Sequence, residues 1–300
     1  MSRLRKAAIS GRPKTLAVVE AADAEVLKAV SEAADLGIAS SLLLGRYEQI
    51  RTVADELRIV LDKFEVIETV SAEDSVKKAA KAINDGRASM LMKGHLPTAD
   101  IMKGVLDKEN NLRGGGKLSH TMVAQADKFG RFLLLSDAGL NPDPDEDLLA
   151  AIIDNSVELA HVLGVEKPKV AVLSAIEKET DKIPSTVLAA KMKARFADSS
   201  DRAVDGPIAL DLALSSFAAD VKGYKNRSVA GAADVLIVPE IVSGNVLGKS
   251  FIHCADFRCG GLITGARIPI VLLSRSDTSE VKLDSIALAS VYAQSNIPQD

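Results

Sequence analysis

The sequence predicts an α/β protein with mainly parallel sheets, and three observations predict it. Short apolar runs alternate with helix-length stretches along the chain, the pattern of successive βαβ crossovers. Several of those runs are apolar without a break, Leu42-Leu43-Leu44 and Val235-Leu236-Ile237-Val238 among them, as strands are when helices cover both faces. The 300 residues, 47% hydrophobic and 26% charged, have an ordinary globular composition. Their number suggests two domains at roughly 100–200 residues each.

The elements follow in order. The N-terminus carries Arg3, Arg5, Lys6, Arg12 and Lys14 with no apolar stretch of signal-peptide length, and reads as a solvated basic tail. Strands are expected at Thr15–Val19, Ser41–Leu44, Phe64–Ile67 and Ser89–Met92, with helices at Ala21–Leu36, Tyr47–Leu57 and Ser71–Asn84 between them. The polar, glycine-rich stretch Asn110–Ser119 then reads as a domain junction. Beyond it, strands are expected at Arg131–Leu135, Val170–Leu173, Ala203–Asp205, Val235–Val238, Leu262–Thr264 and Ile268–Leu273. Helices are expected at Asp145–Leu163, Pro184–Phe196 and Asn245–Ala255. Asp143, Asp145, Glu146 and Asp147 crowd the start of the first of these, where the helix dipole favours negative charge, and Gly164 stands at its end. That acidic run is a helix start and not a catalytic cluster. Asp277-Thr278-Ser279-Glu280 fits a capping box that opens a last helix.

Composition excludes several classes. A net charge of −4, no Trp and 3% aromatic residues argue against a nucleic-acid binder. No run approaches the roughly 18 apolar residues of a membrane span. Two cysteines, Cys254 and Cys259, cannot make a disulfide framework, so a reducing, cytoplasmic compartment is expected. Cys254 reads as a packed helix residue. His95, His120, His161 and His253 are scattered, no zinc spacing occurs, and no metal is expected. Neither a Gly-x-x-x-x-Gly-Lys loop nor a Gly-x-Gly-x-x-Gly turn after the first strand is present, and there is no Gly-x-Ser-x-Gly elbow.

Parallel sheets bind ligands beyond the C-terminal ends of their strands, so chemistry is sought in the loops there. Those loops begin Lys93-Gly94-His95-Leu96-Pro97-Thr98, Ser136-Asp137-Ala138-Gly139-Leu140-Asn141, Gly206-Pro207, Pro239-Glu240, and Ser274-Arg275-Ser276-Asp277. Ser274 and Arg275 fall between a strand end and a helix N-terminus, where free backbone amides and the helix dipole attract anions. The Arg275 guanidinium adds a planar fork suited to phosphate. The alternative is a surface salt bridge at Arg275 and a plain turn at Ser274.

Taken together these loops resemble the phosphate acyltransferase family, most closely its phosphate butyryltransferase branch. The resemblance runs from Thr15 to about Ala289. It rests on Leu91-Met92-Lys93-Gly94-His95-Leu96-Pro97-Thr98, Gly116-Lys117-Leu118-Ser119-His120 and Ser136-Asp137-Ala138-Gly139-Leu140-Asn141. It rests equally on Val204-Asp205-Gly206-Pro207, on Ser243-Gly244-Asn245-Val246-Leu247-Gly248, and on Ile263-Thr264-Gly265-Ala266-Arg267 leading into Ser274-Arg275-Ser276-Asp277. It implies two α/β/α domains like those of isocitrate and isopropylmalate dehydrogenases, with the active site in the interdomain cleft. Domain I would be 1–118 plus 266–300 and domain II 119–265.

The resemblance also implies a reaction, the reversible transfer of a short-chain acyl group between coenzyme A and phosphate. Acyl-CoA, phosphate and acyl phosphate would be the small-molecule partners, in a homodimer or larger homo-oligomer that needs no cofactor, nucleic acid or membrane. In the acetyltransferase branch the serine and arginine of a Ser-Arg motif are functional, which carries to Ser274 and Arg275. That branch has an aspartate seven residues after the serine, proposed as the base for the thiol. Here that position is Val281, so the base does not carry over. Asp277 of Ser274-Arg275-Ser276-Asp277 is either a replacement base or a helix cap. The candidate substrate-binding residues are Lys93, Gly94, His95, Thr98, Arg113, Ser119, Asn141 and Asn245, with Lys117 a further candidate for phosphate. Phosphate acetyltransferase, a non-catalytic acyl-CoA or acyl-phosphate sensor, and a metal-dependent dehydrogenase on the same fold are the competing readings.

Overall fold

The computed structural model describes residues 1–126 and 129–295. Residues 127–128 and 296–300, assigned above to domains II and I, lie outside the described residues. The chain divides into two compact units, Met1–Gly116 with Gly260–Asp300, and Lys117–Cys259. The corresponding boundaries drawn from the sequence are 118/119 and 265/266.

Unit 1 opens with a helix, α1 (Ser2–Ser10), where a solvated tail was expected. Its charges misled, because only one side of the helix meets solvent. Met1, Leu4 and Ala8 are buried, and Arg5 reaches across a 2.6 Å ion pair to Asp284. Then come β1 (Lys14–Val19), α2 (Ala24–Asp35), β2 (Ala39–Gly45), α3 (Tyr47–Leu57), β3 (Glu65–Glu68), α4 (Ala72–Asn84), β4 (Met90–Lys93) and α5 (Thr98–Leu106). Helix α2 starts three residues later than expected because Asp23 caps it, accepting from Val26 N.

Unit 2 begins with β5 (Ser119–Ala126), a strand absent from the expected set. It is followed by β6 (Arg131–Ser136), α6 (Glu146–Val162), β7 (Lys169–Leu173), α7 (Pro184–Arg195), β8 (Ala203–Ile208), α8 (Leu210–Leu214), α9 (Ser216–Val221), β9 (Val235–Ile237) and α10 (Ile241–His253). Asp145 caps α6 as its acidic start implied, accepting from Leu148 N at 2.7 Å. Helix α10 starts at Ile241 and not at Asn245, because the Glu240 carboxylate accepts from Val242 N and Ser243 N. Cys254, expected to be packed, is exposed just past the end of α10, whereas Cys259 is buried.

The chain returns through β10 (Arg258–Thr264), β11 (Ile270–Val271) and α11 (Ser279–Gln294). β11 is two residues long where six were expected, Ile268–Leu273. Pro269 has no N–H for a ladder; its carbonyl alone is used, accepting from Leu91 N at 3.2 Å.

Within unit 1 the strand order is β3-β2-β1-β4-β11-β10, and in unit 2 it is β5-β6-β9-β7-β8. Every pairing in the first is parallel except β10 with β11, and every pairing in the second except β5 with β6. β4 lies between β1 and β11, with Val19 opposite Lys93 and Val271 opposite Met92. The ends of β1, β4 and β11 therefore emerge side by side. Helix α11 packs on α1, α2 and this part of the sheet. It is buried on nearly every side, polar Lys282, Asp284, Ser285 and Ser290 included. The core of unit 2 gathers Leu133, Leu135, Leu173, Ile208, Leu236 and Phe251 from the strands and their covering helices.

Candidate active site

The segment after β11 is held as a closed turn. Ser274 N donates to Asp277 Oδ2 at 2.8 Å, and Asp277 N donates back to Ser274 O at 3.2 Å. The buried Lys282 ammonium donates to the Asp277 carbonyl. Asp277 is thus the acceptor of its own turn, and the capping box expected at Asp277 is not formed. Thr278 is the N-cap, accepting from Val281 N. The amide of Ser279 is taken as well, donating to Glu25 Oε2 at 2.7 Å. Two side-chain oxygens therefore occupy donors at the α11 N-terminus, which corrects the expectation of a free helix-end anion site. The side chains remain available to an anion. Ser274 and Arg275 are exposed, and among the described residues Arg275 makes no ion pair, so the salt-bridge alternative does not hold.

The loop after β4 supplies a second cation. Lys93 is only 6% exposed, and its Nζ donates to Leu96 O at 3.2 Å. Burial first, then the nearby positive charges of Arg275 and Lys282, hold its ammonium below the usual lysine range, while Asp23 and Asp277 pull the other way. Gly94 is required by space. A Cβ there would lie 2.1 Å from Glu20 O and 2.6 Å from Val19 O. The close approach lets Gly94 N and His95 N donate to Val19 O and Glu20 O, at 2.8 and 2.7 Å. His95 is exposed, with Nδ1 3.7 Å from Asp23 Oδ2. Thr98 is exposed at the first position of α5. Arg113 is exposed on the glycine-rich loop, which is tied down within unit 1. Arg267 Nη1 donates to Asn111 O at 2.7 Å, and a Cβ on Gly116 would meet Gly265 O at 2.4 Å.

Unit 1 therefore brings together Ser274, Arg275, Asp277, Lys93, Gly94 and His95 at neighbouring strand ends. Sequence reasoning missed Lys282, Glu25 and Asp23, which position or bias them. Thr98 and Arg113 also belong to unit 1, and the other candidates belong to unit 2. Ser119 is fully buried, its hydroxyl accepting from Asn155 Nδ2 at 2.9 Å. Asn141 donates to Leu118 O at 2.8 Å and to Asp137 Oδ2 at 2.6 Å. Asp137, itself 3% exposed, also accepts from Gly139 N, Leu140 N and His120 N and organises that loop. Asn245 is exposed inside α10, not in a loop. Asp205 of the Asp-Gly-Pro motif is buried and engaged by Lys193 at 2.8 Å and Tyr224 at 2.9 Å, a structural set. Among the described residues no group of three or more His, Cys, Asp or Glu converges to hold a metal ion, and no helix is long and apolar enough to cross a membrane.

Comparison with known proteins adds three relatives to this geometry. A family model described as phosphate acetyl/butaryl transferase matches residues 67–290. The phosphate butyryltransferase of Clostridium acetobutylicum is 40% identical over 286 residues, 93% of either chain. The phosphate acetyltransferase of Rhizobium meliloti is 36% identical over 293 residues, 97% of this chain and 92% of its own. Among solved structures, a branched-chain phosphotransacylase from Enterococcus faecalis superimposes with a TM-score of 0.84 at 31% identity, covering 93% of this chain and 99% of that one.

Proposed function

Because the chain belongs to the phosphate acetyl/butyryl transferase family, whose reaction is reversible acyl transfer between coenzyme A and phosphate, we propose that it moves a butyryl-sized acyl group and that Arg275 binds the phosphate. The acyl size follows the phosphate butyryltransferase and branched-chain phosphotransacylase relatives. One observation carries the site. An exposed guanidinium, without a carboxylate partner among the described residues, sits on a turn that Asp277 and Lys282 hold rigid. A preorganised cation costs little reorganisation when charge develops beside it.

In the direction of acyl phosphate synthesis, a phosphate oxygen held by Arg275 attacks the thioester carbonyl. Charge builds on the carbonyl oxygen and on the sulfur that leaves. The Ser274 hydroxyl donates to phosphate or carbonyl oxygen, and Lys282 adds positive potential from behind. The transfer is direct and needs no acyl-enzyme, a reading supported by the lack of a Gly-x-Ser-x-Gly nucleophile elbow in the sequence. Arg113, Thr98 and His95 in unit 1 are exposed and suit the long polar coenzyme. Ser119 and Asn141 serve by shaping their loops. The physiological setting is the cytoplasm, and the working form a homo-oligomer.

Coenzyme A release from acetyl-, propionyl-, butyryl- and isobutyryl-CoA, with and without phosphate and with and without a chelator, tests this reading. Phosphate-dependent release, greatest with the four-carbon groups and unaffected by chelator, is expected. Release from acetyl-CoA alone would make the chain an acetyltransferase, and phosphate-independent behaviour throughout would remove the transferase assignment.

A further inference from the structure

The reaction moves a proton, and Val281 stands where the acetyltransferase branch has an aspartate for it. Hydrogen phosphate dianion and a thioester give an acyl phosphate dianion and a thiol. One C–O bond forms between a phosphate oxygen and the acyl carbon, one C–S bond breaks, and the proton that began on the phosphate hydroxyl ends on sulfur. Asp277 is poorly free to carry it, since one carboxylate oxygen is fastened to the Ser274 amide.

We propose that the side-chain amine of Lys93 carries this proton, taking it from the attacking phosphate and handing it to the departing coenzyme A sulfur. The inference rests on the phosphate-transferase reading and deepens it. Position is the first support. Lys93 ends β4, whose neighbour β11 leads directly into Ser274 and Arg275. The amine is therefore on the same strand-end row as the phosphate ligand. Its surroundings are the second support. Lys93 is nearly buried, yet no carboxylate pairs with it among the described residues, and its one hydrogen bond is to a neutral carbonyl, Leu96 O. Buried cations usually have a partner. Here the other residents are cations, Lys282 from α11 and Arg275 from the turn, set against Asp23 from the β1 end and Asp277. Glu20, also at the β1 end, has its carboxylate engaged by Ser75 at 2.7 Å, and exposed His95 faces Asp23.

This arrangement has a chemical meaning. An ordinary lysine, titrating at about 10.4, is almost fully protonated near neutrality and cannot accept a proton. Burial and two cationic neighbours favour the neutral amine, as in lysines that act as bases. Lys282 has two tasks in this scheme, since the ammonium that bears on Lys93 also holds the Asp277 carbonyl. Bound phosphate brings negative charge next to Lys93 and favours its protonated form, so proton uptake follows substrate binding.

Two measurements on the full chain test the proposal. The first is the pH profile of coenzyme A release from butyryl-CoA with phosphate, for wild type, Lys93→Arg, Lys93→Met and Lys282→Met. Lys93→Arg keeps the charge but cannot give up its proton. It should lose roughly 100-fold or more in kcat, the scale of general acid–base catalysis, with the KM for phosphate little changed. After division by the fraction of phosphate present as the dianion, the acid limb left in the wild-type profile should vanish in both Lys93 variants and move to higher pH in Lys282→Met, where a neighbouring cation is gone. Near-wild-type turnover in Lys93→Arg would reduce Lys93 to a charge and overturn the proposal, as would an unmoved limb in Lys282→Met. The second measurement needs no turnover. NMR titration of lysine side chains in labelled wild type, with Lys93→Arg for assignment, should find Lys93 titrating below the ordinary range and shifting upward on adding phosphate. Titration in the ordinary range overturns the proposal. If Lys93 titrates low but wild type releases no coenzyme A with phosphate, the transferase reading itself fails, and this role with it.

Discussion

The carboxylate of Asp277 accepts the amide hydrogen of Ser274 across 2.8 Å, and the amide of Asp277 donates back to the carbonyl of Ser274. Arg275 is enclosed by that reciprocal pair, so its backbone is fixed before any phosphate arrives. Replacing Asp277 separates the two roles that the sequence leaves open. Asp277→Asn keeps an oxygen acceptor for Ser274 N. It should retain turnover within about tenfold and stability within about 1 kcal/mol, the net worth of one such bond. Asp277→Ala removes the acceptor and should lower both. Loss of several hundred-fold activity in Asp277→Asn, with an unchanged urea midpoint, would instead make Asp277 a proton acceptor.

Arg275→Ala should cost roughly 2–4 kcal/mol of transition-state stabilisation, the scale seen when one preorganised charge-stabilising donor is lost. The side chain is exposed and makes no ion pair among the described residues, so the melting temperature should hardly move. Steady-state kinetics and thermal unfolding on the same preparation check both halves. Near-wild-type kcat/KM in a folded variant would remove Arg275 from the site.

Gly94 is tightly placed. A methyl group there meets the backbone oxygens of Glu20 and Val19 at 2.1 and 2.6 Å, and main chain cannot swing aside as a side chain can. Gly94→Ala should displace the loop that carries Lys93 and His95, destabilise the fold by about 1–3 kcal/mol as overpacking does, and lower turnover as well as stability. Chemical denaturation alongside the kinetic assay reads both.

Glu25 provides a pH signature. Its hydrogen bond to Lys28 first, and the Ser279 amide next, hold its carboxyl below the ordinary glutamate value. A carboxylate whose folded pKa is depressed adds stability above its unfolded pKa. It loses that contribution as pH falls through the folded value. Glu25→Gln should therefore melt below wild type at pH 7, with the gap closing as the pH drops beneath about 4.3. Glu25 is partly exposed, so the effect is small and salt-sensitive. A gap that persists at low pH would mean that packing and not charge holds the α11 N-terminus.

Arg5 tests the N-terminal helix. The Asp284 carboxylate it pairs with is 2% exposed, and removing one partner of such a buried pair costs about 3 kcal/mol. Arg5→Ala should lower the unfolding free energy by about that much in a urea titration. A change within experimental error would return α1 to the status of a tail.

The parallel framework was legible because runs such as Val235-Leu236-Ile237 need no partner information to read as buried strands. β5 was not. Ser119-His120-Thr121-Met122 mixes small and polar residues after a glycine loop, and it becomes a strand by antiparallel pairing with β6, which local pattern does not reveal. α1 was misread because five basic residues outweigh Leu4 and Ala8, and its burial depends on Asp284, at the far end of the chain. Ser274, Arg275 and Lys93 were singled out as candidates because each stands at or just past the C-terminal end of an expected strand. Lys282 was hidden, because α11 is buried on nearly all sides and leaves no polar face against which an inward lysine would stand out. Glu25 was hidden for a different reason. It is an ordinary first-turn acid of α2 until the fold lays the N-terminus of α11 against it.

The division of the chain into Met1–Gly116 with Gly260–Asp300, and Lys117–Cys259, has a consequence for biosynthesis. Unit 2 is one uninterrupted segment and can fold while the ribosome is still extending the chain, since domains generally fold as units during synthesis. Unit 1 is made first yet finished last. Its β4 edge waits for β11, and the buried face of α1 waits for α11. Through that interval Leu4, Met92 and their neighbours stand open to solvent and to chaperones. Arg275, the proposed phosphate-binding residue, thus arrives on the segment that closes unit 1, so a nascent chain gains that charge at its site only as the unit is completed.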